Sequence, residues 1–321
     1  MRTSARIILF TSLIGIPLAG FAQPFPSKPI RLIVPFSTGG SADTLARTTQ
    51  TPLSEVLGQP IVIDNRGGAS GTIGTDLAAK AQPDGHTILL VTTTYTVIPS
   101  LMKKLPYDPR KDLAPVSLVV SQPNILAVHP SVPAKTVKEL VALAKAKPNT
   151  LNFAGGGNGS SPHLSGELLK IVAGVQITHV PYKGSGPAVT DLIGGHVHMM
   201  FAGPLAFEQH IKAGRLRALA VAANKRSPIL PQVPTMAEAG YPGIETGTWF
   251  AILAPANTPK AVINTLHQAV FKVVHDPNLA SRFAKLGVDV VGSGPAELGR
   301  HMEAEMTKWA KLVRQAGITL D

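Results

Sequence analysis

The chain predicts an α/β protein of two domains, on three observations. Short β-rich apolar runs alternate with helix-period stretches along most of its length. Its 321 residues, 44% of them apolar, are enough to fill two cores. No fixed-period repeat, low-complexity tract or long polar linker interrupts the pattern.

The strand-like runs are Ile30–Pro35, Ile61–Asp64, Thr87–Thr92, Ile125–Val128, Thr150–Ala154, Thr178–Pro181, His198–Ala202 and Leu216–Ala222. Between them lie the helical stretches Ala42–Leu57, Ile73–Ala81, Val137–Lys145, His163–Val172 and Ala188–Ile193. Such alternation predicts parallel sheets covered by helices. The last part, Pro259–Ala316, is mostly helical, with Leu266, Val270, Val273 and Val274 at helix spacing and a second stripe through Met302, Met306, Trp309 and Val313. It predicts a covering layer with no chemistry of its own. Boundaries are expected near Ser121–Pro130 and Thr246–Pro255, where strand-like runs meet Pro-containing turns. If both runs cross between domains they form a hinge: 23–124 with 247–321 is one discontinuous domain and 125–246 the other.

The first residues predict export. Arg2 and Arg6 precede an apolar run, Ile7–Phe21, and Gly20 and Ala22 place small residues before Gln23. The run is short for a membrane span, so a signal peptide over 1–22, cleaved after Ala22, is the expectation, with a periplasmic destination. The chain has no Cys, which removes a lipid-anchored Cys, thiolate metal sites, a Cys nucleophile and disulfides. The net charge of +11 is scattered rather than massed, so no nucleic-acid partner is expected. General solubility and a mildly basic surface account for it first, and attraction of an anionic ligand by the summed field is a secondary reading.

Four strand-to-helix junctions are rich in Gly, Ser, Thr and Asn: Pro35–Asp43, Thr92–Thr96, Ala154–His163 and Tyr182–Ala188. α/β proteins place ligands at such strand ends. Pro162 and Pro187 stand at the expected first helical positions. A helix start carries free N–H donors and a partial positive charge, so it holds a carboxylate without Arg or Lys. Any single loop of this kind reads first as a plain turn and cap; four on one chain favour the anion reading. His163 stands as a proton donor to a ligand or as a helix-start residue bonded to a neighbouring loop. Asp43 either meets a ligand amine or caps backbone donors. Lys183 attracts an anion or stays solvated at the rim. His196 and His198 alternate on a strand, yet no third ligand is spaced to join them, so no metal is expected. No GxGxxG, Walker, GxSxG or HExxH pattern occurs, and no cofactor or catalytic residue is predicted.

The segments KPIRLIVPF (Lys28–Phe36), GQPIVIDNRGGASGTIG (Gly58–Gly74), PDGHTILL (Pro83–Leu90), LPYDPRKDLAPVSLV (Leu105–Val119), GNGSSPHLSGELLK (Gly157–Lys170), HVPYKGSGPAVTDLIGGHV (His179–Val197), IKAGRLRALAV (Ile211–Val221) and VPTMAEAGYPG (Val233–Gly243) carry a resemblance through essentially the whole mature chain. It resembles the Bug, or TctC-like, periplasmic solute-binding proteins of tripartite tricarboxylate transporters. The resemblance implies a type II Venus flytrap with two crossing strands as hinge. It further implies a small organic carboxylate in the cleft, delivered to membrane transporter subunits (TctA/TctB-like) that use an ion gradient. By position, the implied contacts are Phe36, Ser37, Thr38, Gly39, Gly40 and Ser41 in the first domain, with Thr94, Tyr95 and Thr96 nearby. In the second they are Asn158, Gly159, Ser160 and Ser161.

Two departures bear on the ligand. Ser37 and Thr38 stand where the family commonly has two prolines, and Ala202 stands where many members have Asp or Asn. The loss of the acid argues against an amino-acid ligand and for a mono- or dicarboxylate, aromatic ones included, on which Tyr95 would stack. Packing of Tyr95 on the cleft wall is the other reading. The chain is expected to be a monomer. A ligand sensor that reports to a membrane kinase has the same sequence signature; a periplasmic hydrolase or lyase lacks a defensible nucleophile, metal cluster or acid/base pair.

Overall fold

The computed structural model describes residues 25–315; the expected signal peptide and its cleavage site lie outside them. The chain begins with β1 (Ile30–Val34), α1 (Ser41–Leu57), β2 (Ile61–Asn65), a 3-10 turn (Ala69–Gly71), α2 (Thr72–Ala79), β3 (Thr87–Thr92) and α3 (Thr94–Leu101). After β4 (Leu113–Val128) it runs through α4 (Val137–Ala146), β5 (Asn152–Gly155), α5 (Ser161–Ala173), β6 (Thr178–Pro181), α6 (Ser185–Ile193), β7 (Met199–Ala202), α7 (Pro204–Lys212) and β8 (Arg217–Ala222). It returns through β9 (Gly247–Pro255), α8 (Lys260–Val274), α9 (Pro277–Leu286), β10 (Asp289–Val290) and α10 (Pro295–Gln315).

The sheets are mixed rather than purely parallel. β1 pairs in parallel with β2 and β3, and β5 in parallel with β6 and β7, as the β-helix-β alternation requires. β9 lies antiparallel between β3 and β4, and β4 lies antiparallel to β7 and β8. The antiparallel pairs are those made by the two strands that return the chain between the halves. The sequence reading finds only the end of β4, residues 125–128, because Pro115 and Pro123 punctuate it and a Pro inside a run argues against a continuous strand. The strand tolerates both with irregular pairing near Pro115 and a change of partner at Pro123. Up to Pro123 it is bonded to β9; from Asn124 onward it is bonded to β7 and β8.

Each half is a three-layer sandwich. In the first, α1 and α8 bring Leu45, Leu53, Leu266 and Val270 to one face of the sheet, over Leu32, Leu90 and Ile252. The other face, Ile33, Leu89, Val91 and Leu253, is covered by Ala78 of α2, Tyr95 of α3 and Leu298 and Met302 of α10. In the second half, Leu140 of α4 and Leu169 of α5 pack on Leu126, Phe153 and Phe201. Val189 of α6 and Phe207 of α7 pack on Ala127, Met200 and Val221. Burial of both sheet faces explains why the strands read as continuous apolar runs without alternation. The C-terminal helices do form the covering layer that their apolar stripes predict.

Candidate functional site

Between the halves lies a cavity of about 40 Å3, room for about three water-sized groups. It is built from the starts of five helices. α1 contributes Gly40, Ser41 and Ala42, and α3 contributes Thr94 with Thr92 before it. From the other half come Gly156, Ser160, Ser161 and Pro162 at α5, Ser185 at α6, and Ala202 with Gly203 at α7. Phe36, Ser37, Thr248 and Phe250 complete the wall. No residue of this lining is charged.

Four of these five helices begin without a side-chain cap: the N-cap residues Gly40, Thr93, Gly184 and Gly203 make no capping bond. Uncapped starts also occur away from the cavity, at α2 and α8, whereas the remote α4 and α9 are capped by Thr136 and Asp276. The first N–H groups of a helix have no partner within it, and convergence of several such ends makes the cavity a cradle for an anion. One α7 donor, the Leu205 N–H, is taken by Gln122 Oε1 at 3.2 Å.

The two halves touch at this cavity. The Ser37 N–H and hydroxyl donate to the Lys183 carbonyl at 3.1 and 3.0 Å. Lys183 thus acts through its backbone, while its side chain is exposed. Gly186 faces the Thr38 carbonyl so closely that a Cβ on it would stand 1.8 Å from that oxygen. Only glycine permits this approach.

The structure places Phe36, Ser37, Gly40, Ser41, Thr94, Ser160, Ser161 and Ala202 around the cavity. The others stand apart. Thr38 and Gly39 are exposed at the rim. Tyr95 is turned into the first core; its hydroxyl donates to the Pro109 carbonyl at 2.6 Å, and its ring stacks on Tyr107 with centroids 6.2 Å apart. Of its two readings the structure favours wall packing. The Thr96 hydroxyl is buried and donates to the Thr93 carbonyl at 2.8 Å. Asp43 accepts from the Gly39 N–H at 3.0 Å and from Arg47 Nε at 2.9 Å. Burial pushes its carboxyl up, but Arg47 and the Gly39 N–H outweigh that and hold it below the usual carboxylate range. Asp43 therefore braces the loop between β1 and α1 from behind. Asn158 and Gly159 lie beside the cavity in the same loop as Ser160. His163 is buried behind that loop, where its Nδ1 accepts from the Gly159 N–H at 3.1 Å. Of its two readings this is the loop-bonded one.

Ser161 lines the cavity but its hydroxyl is committed elsewhere. It donates to the Gly247 carbonyl and accepts from Asn124 Nδ2, both at 2.7 Å. Gly156, Ser185 and Thr92 fall within loops that the sequence marks by composition, and helix-start spacing was the signal that could have selected them. Thr248 and Phe250 come from the second crossing strand, where no motif announces them. α5 and α6 begin at Ser161 and Ser185, earlier than Pro162 and Pro187 suggest. Among the described residues no three His, Cys, Asp or Glu side chains come together as metal ligands. His198 is bonded to Asn152 instead.

With this geometry in hand, likeness to known proteins is informative. Residues 45–318 match the family model described as the tripartite tricarboxylate transporter family receptor, TctC. The protein BugT of Bordetella pertussis is 40% identical over 321 residues, spanning 99% of this chain and 98% of its own. Among solved structures, the periplasmic binding protein BugD superposes with a TM-score of 0.89 at 36% identity, covering 92% of this chain and 99% of its own. A protein from R. palustris with adipate gives a TM-score of 0.88 at 39% identity over 92% and 99% of the two chains. MatC from Rhodopseudomonas palustris with bound malate gives 0.86 at 33% identity over 90% and 100%.

Proposed function

Because the chain belongs to the tripartite tricarboxylate transporter receptor family, whose members are periplasmic solute-binding proteins and not enzymes, we propose that it captures a small mono- or dicarboxylate and delivers it to membrane transporter subunits. The observation that carries this reading is the cavity walled by five helix starts and no charged side chain. Dipoles and hydroxyls there neutralise an anion, while no acid is present to meet an amine. Phe36, Pro162, Ala202 and Phe250 offer an apolar wall to the carbon skeleton. That a neighbour was solved with adipate and another with malate supports the same ligand class.

The two domains are proposed as 23–124 with 247–321, and 125–246, a division supported by the change of β4 partners at Pro123. Export with cleavage after Ala22, action as a monomer, and TctA/TctB-like partners belong to the same proposal. Ligand contacts are assigned to the lining residues, with Thr38, Gly39, Asp43 and His163 shaping the loops that carry them. Melting of the mature protein with a carboxylate panel that includes adipate and malate tests the function. A ligand at 100 times its Kd adds about 2.7 kcal/mol, a shift of several degrees. No shift with any acid would refute the reading.

A further inference from the structure

The loop from β5 to α5 contains two residues in the left-handed region, Gly157 (φ +113°) and Gly159 (φ +74°). Glycines lend such a loop its shape and also leave it free to lose it. Something must hold it, and three bonds do: the Ser160 N–H donates to the Gly157 carbonyl at 3.1 Å, the Gly159 N–H to the His163 ring at 3.1 Å, and the His163 N–H to the Ser160 hydroxyl at 3.4 Å. We propose that His163 is a positioning residue: by accepting the Gly159 N–H through Nδ1 it sets residues 157–160, and so the start of α5, in the form that receives a carboxylate. This rests on carboxylate capture at the same site.

Nδ1 accepts only when the ring proton is on Nε2. Nε2 faces Glu167 Oε1 at 3.9 Å, and Glu167 is held in turn by Lys170 at 2.7 Å. From β6 the His179 ring lies against His163, centroids 4.1 Å apart and tilted by 37°, and packs on Phe153 beyond it. A Cβ on Gly155 would stand 2.2 Å from His179 Nε2, so a glycine there makes room for the stack. Glu167, Lys170 and His179 are the titratable groups set against His163. Burial and Lys170 push the His163 ring below the ordinary imidazole value against the pull of Glu167, and burial with the neighbouring His163 takes His179 down to about 3. The buried His163 and the half-buried His179 imidazole tilted against it are thus kept neutral, and neutrality preserves the acceptor. Protonation of His163 Nδ1 would set one N–H against another and release the loop.

The sign follows from linkage. A group whose folded value lies below the ordinary 6.5 gives the unfolded chain the greater proton uptake, so loop order and stability are intact above 6.5 and decline as pH falls toward the folded value.

The test follows the Gly159 amide by NMR, as a protection factor and a chemical shift against pH, together with the Kd for adipate. In wild type the Gly159 amide should be protected at neutral pH and titrate below 6.5. His163→Asn puts Oδ1 where Nδ1 was, so it should keep protection and affinity with a pH-flat shift. His163→Phe keeps the ring but removes the acceptor; it should lose protection and bind adipate about 3- to 10-fold more weakly, the range of one net hydrogen bond. Wild-type protection and affinity in His163→Phe, or a Gly159 titration unchanged in His163→Asn, would overturn the proposal. If His163→Phe fails to fold, the Asn variant and the wild-type titration still decide. If the amide behaves as described but neither adipate nor any other acid binds, the functional reading fails and the loop assignment stands.

Discussion

Gly186 sits in the first turn of α6, in a backbone conformation open to any residue, yet a Cβ there would meet the Thr38 carbonyl of the opposite half. Gly186→Ala should therefore separate folding from closure. Ala is favoured over Gly in a helix by about 1 kcal/mol, so the ligand-free protein should melt at or slightly above the wild-type temperature. The two halves could no longer meet, and the ligand-induced melting shift should vanish. A normal shift in this variant would mean that contact across Gly186 is dispensable for capture. Asp43 permits a second test at this scale. Its carboxyl is held below the usual range by Arg47 and the Gly39 N–H, so the stability it supplies is present above pH 3.8 and is lost as pH falls through the lower folded value. Asp43→Asn should cost about 1–2 kcal/mol at pH 7, read by urea unfolding, with the difference from wild type disappearing at the acid end of that window. A cost independent of pH would show that shape rather than charge braces the loop.

The elements differ in how far their residues announce them. β1, β3, β7 and the long amphipathic helices are legible because burial on both sheet faces and on one helix face leaves a local signal. The loops at Pro35–Asp43 and Ala154–His163 are legible as candidate cavity loops because glycine, serine and a following helix are also local. The length of β4, the helix α7 and the roles of Thr248 and Phe250 are not, since each depends on what the other half presents. Asn124 illustrates the difference. In the sequence it is one of several polar residues around Pro123; in the structure it is fully buried, its amide donating to the Ser161 and Ser165 hydroxyls at 2.7 and 2.9 Å, and its N–H to the Thr246 carbonyl at 3.0 Å. It ties the two crossing segments to the start of α5. Asn124→Ala should cost about 1–3 kcal/mol, because buried hydroxyls lose a partner. It should also weaken carboxylate binding through displacement of Ser161. Unfolding and titration measured side by side test both; loss of stability with unchanged affinity would detach the hinge from the site.

At the scale of the whole molecule, the halves also meet away from the cavity. Leu164 of α5 packs into Val97 of α3 and Trp309 and Val313 of α10, so the half that carries α5 is seated on the C-terminal helix. Under the proposed function, closure would make affinity a sum of cavity contacts and packing between the halves, and ligand would shift the population toward the closed form. The electrostatic consequence is distinctive. The full chain has a net charge of +11, two units of it from Arg2 and Arg6 of the expected signal peptide; the remaining excess draws anions from a distance, yet no charged side chain lines the cavity itself. Long-range attraction is screened as the Debye length falls from ~30 Å at 0.01 M to ~3 Å at 1 M salt, whereas donors facing a ligand in a closed cavity are screened far less. Salt across that range should slow the association rate severalfold while leaving dissociation nearly unchanged, since the bound anion is held by buried N–H groups rather than by surface lysines. Stopped-flow association and dissociation with the tightest acid of the panel measure the two rates separately. Dissociation that accelerates steeply with salt would indicate a charged side chain on the ligand, and the helix-start account of this cavity would have to be abandoned.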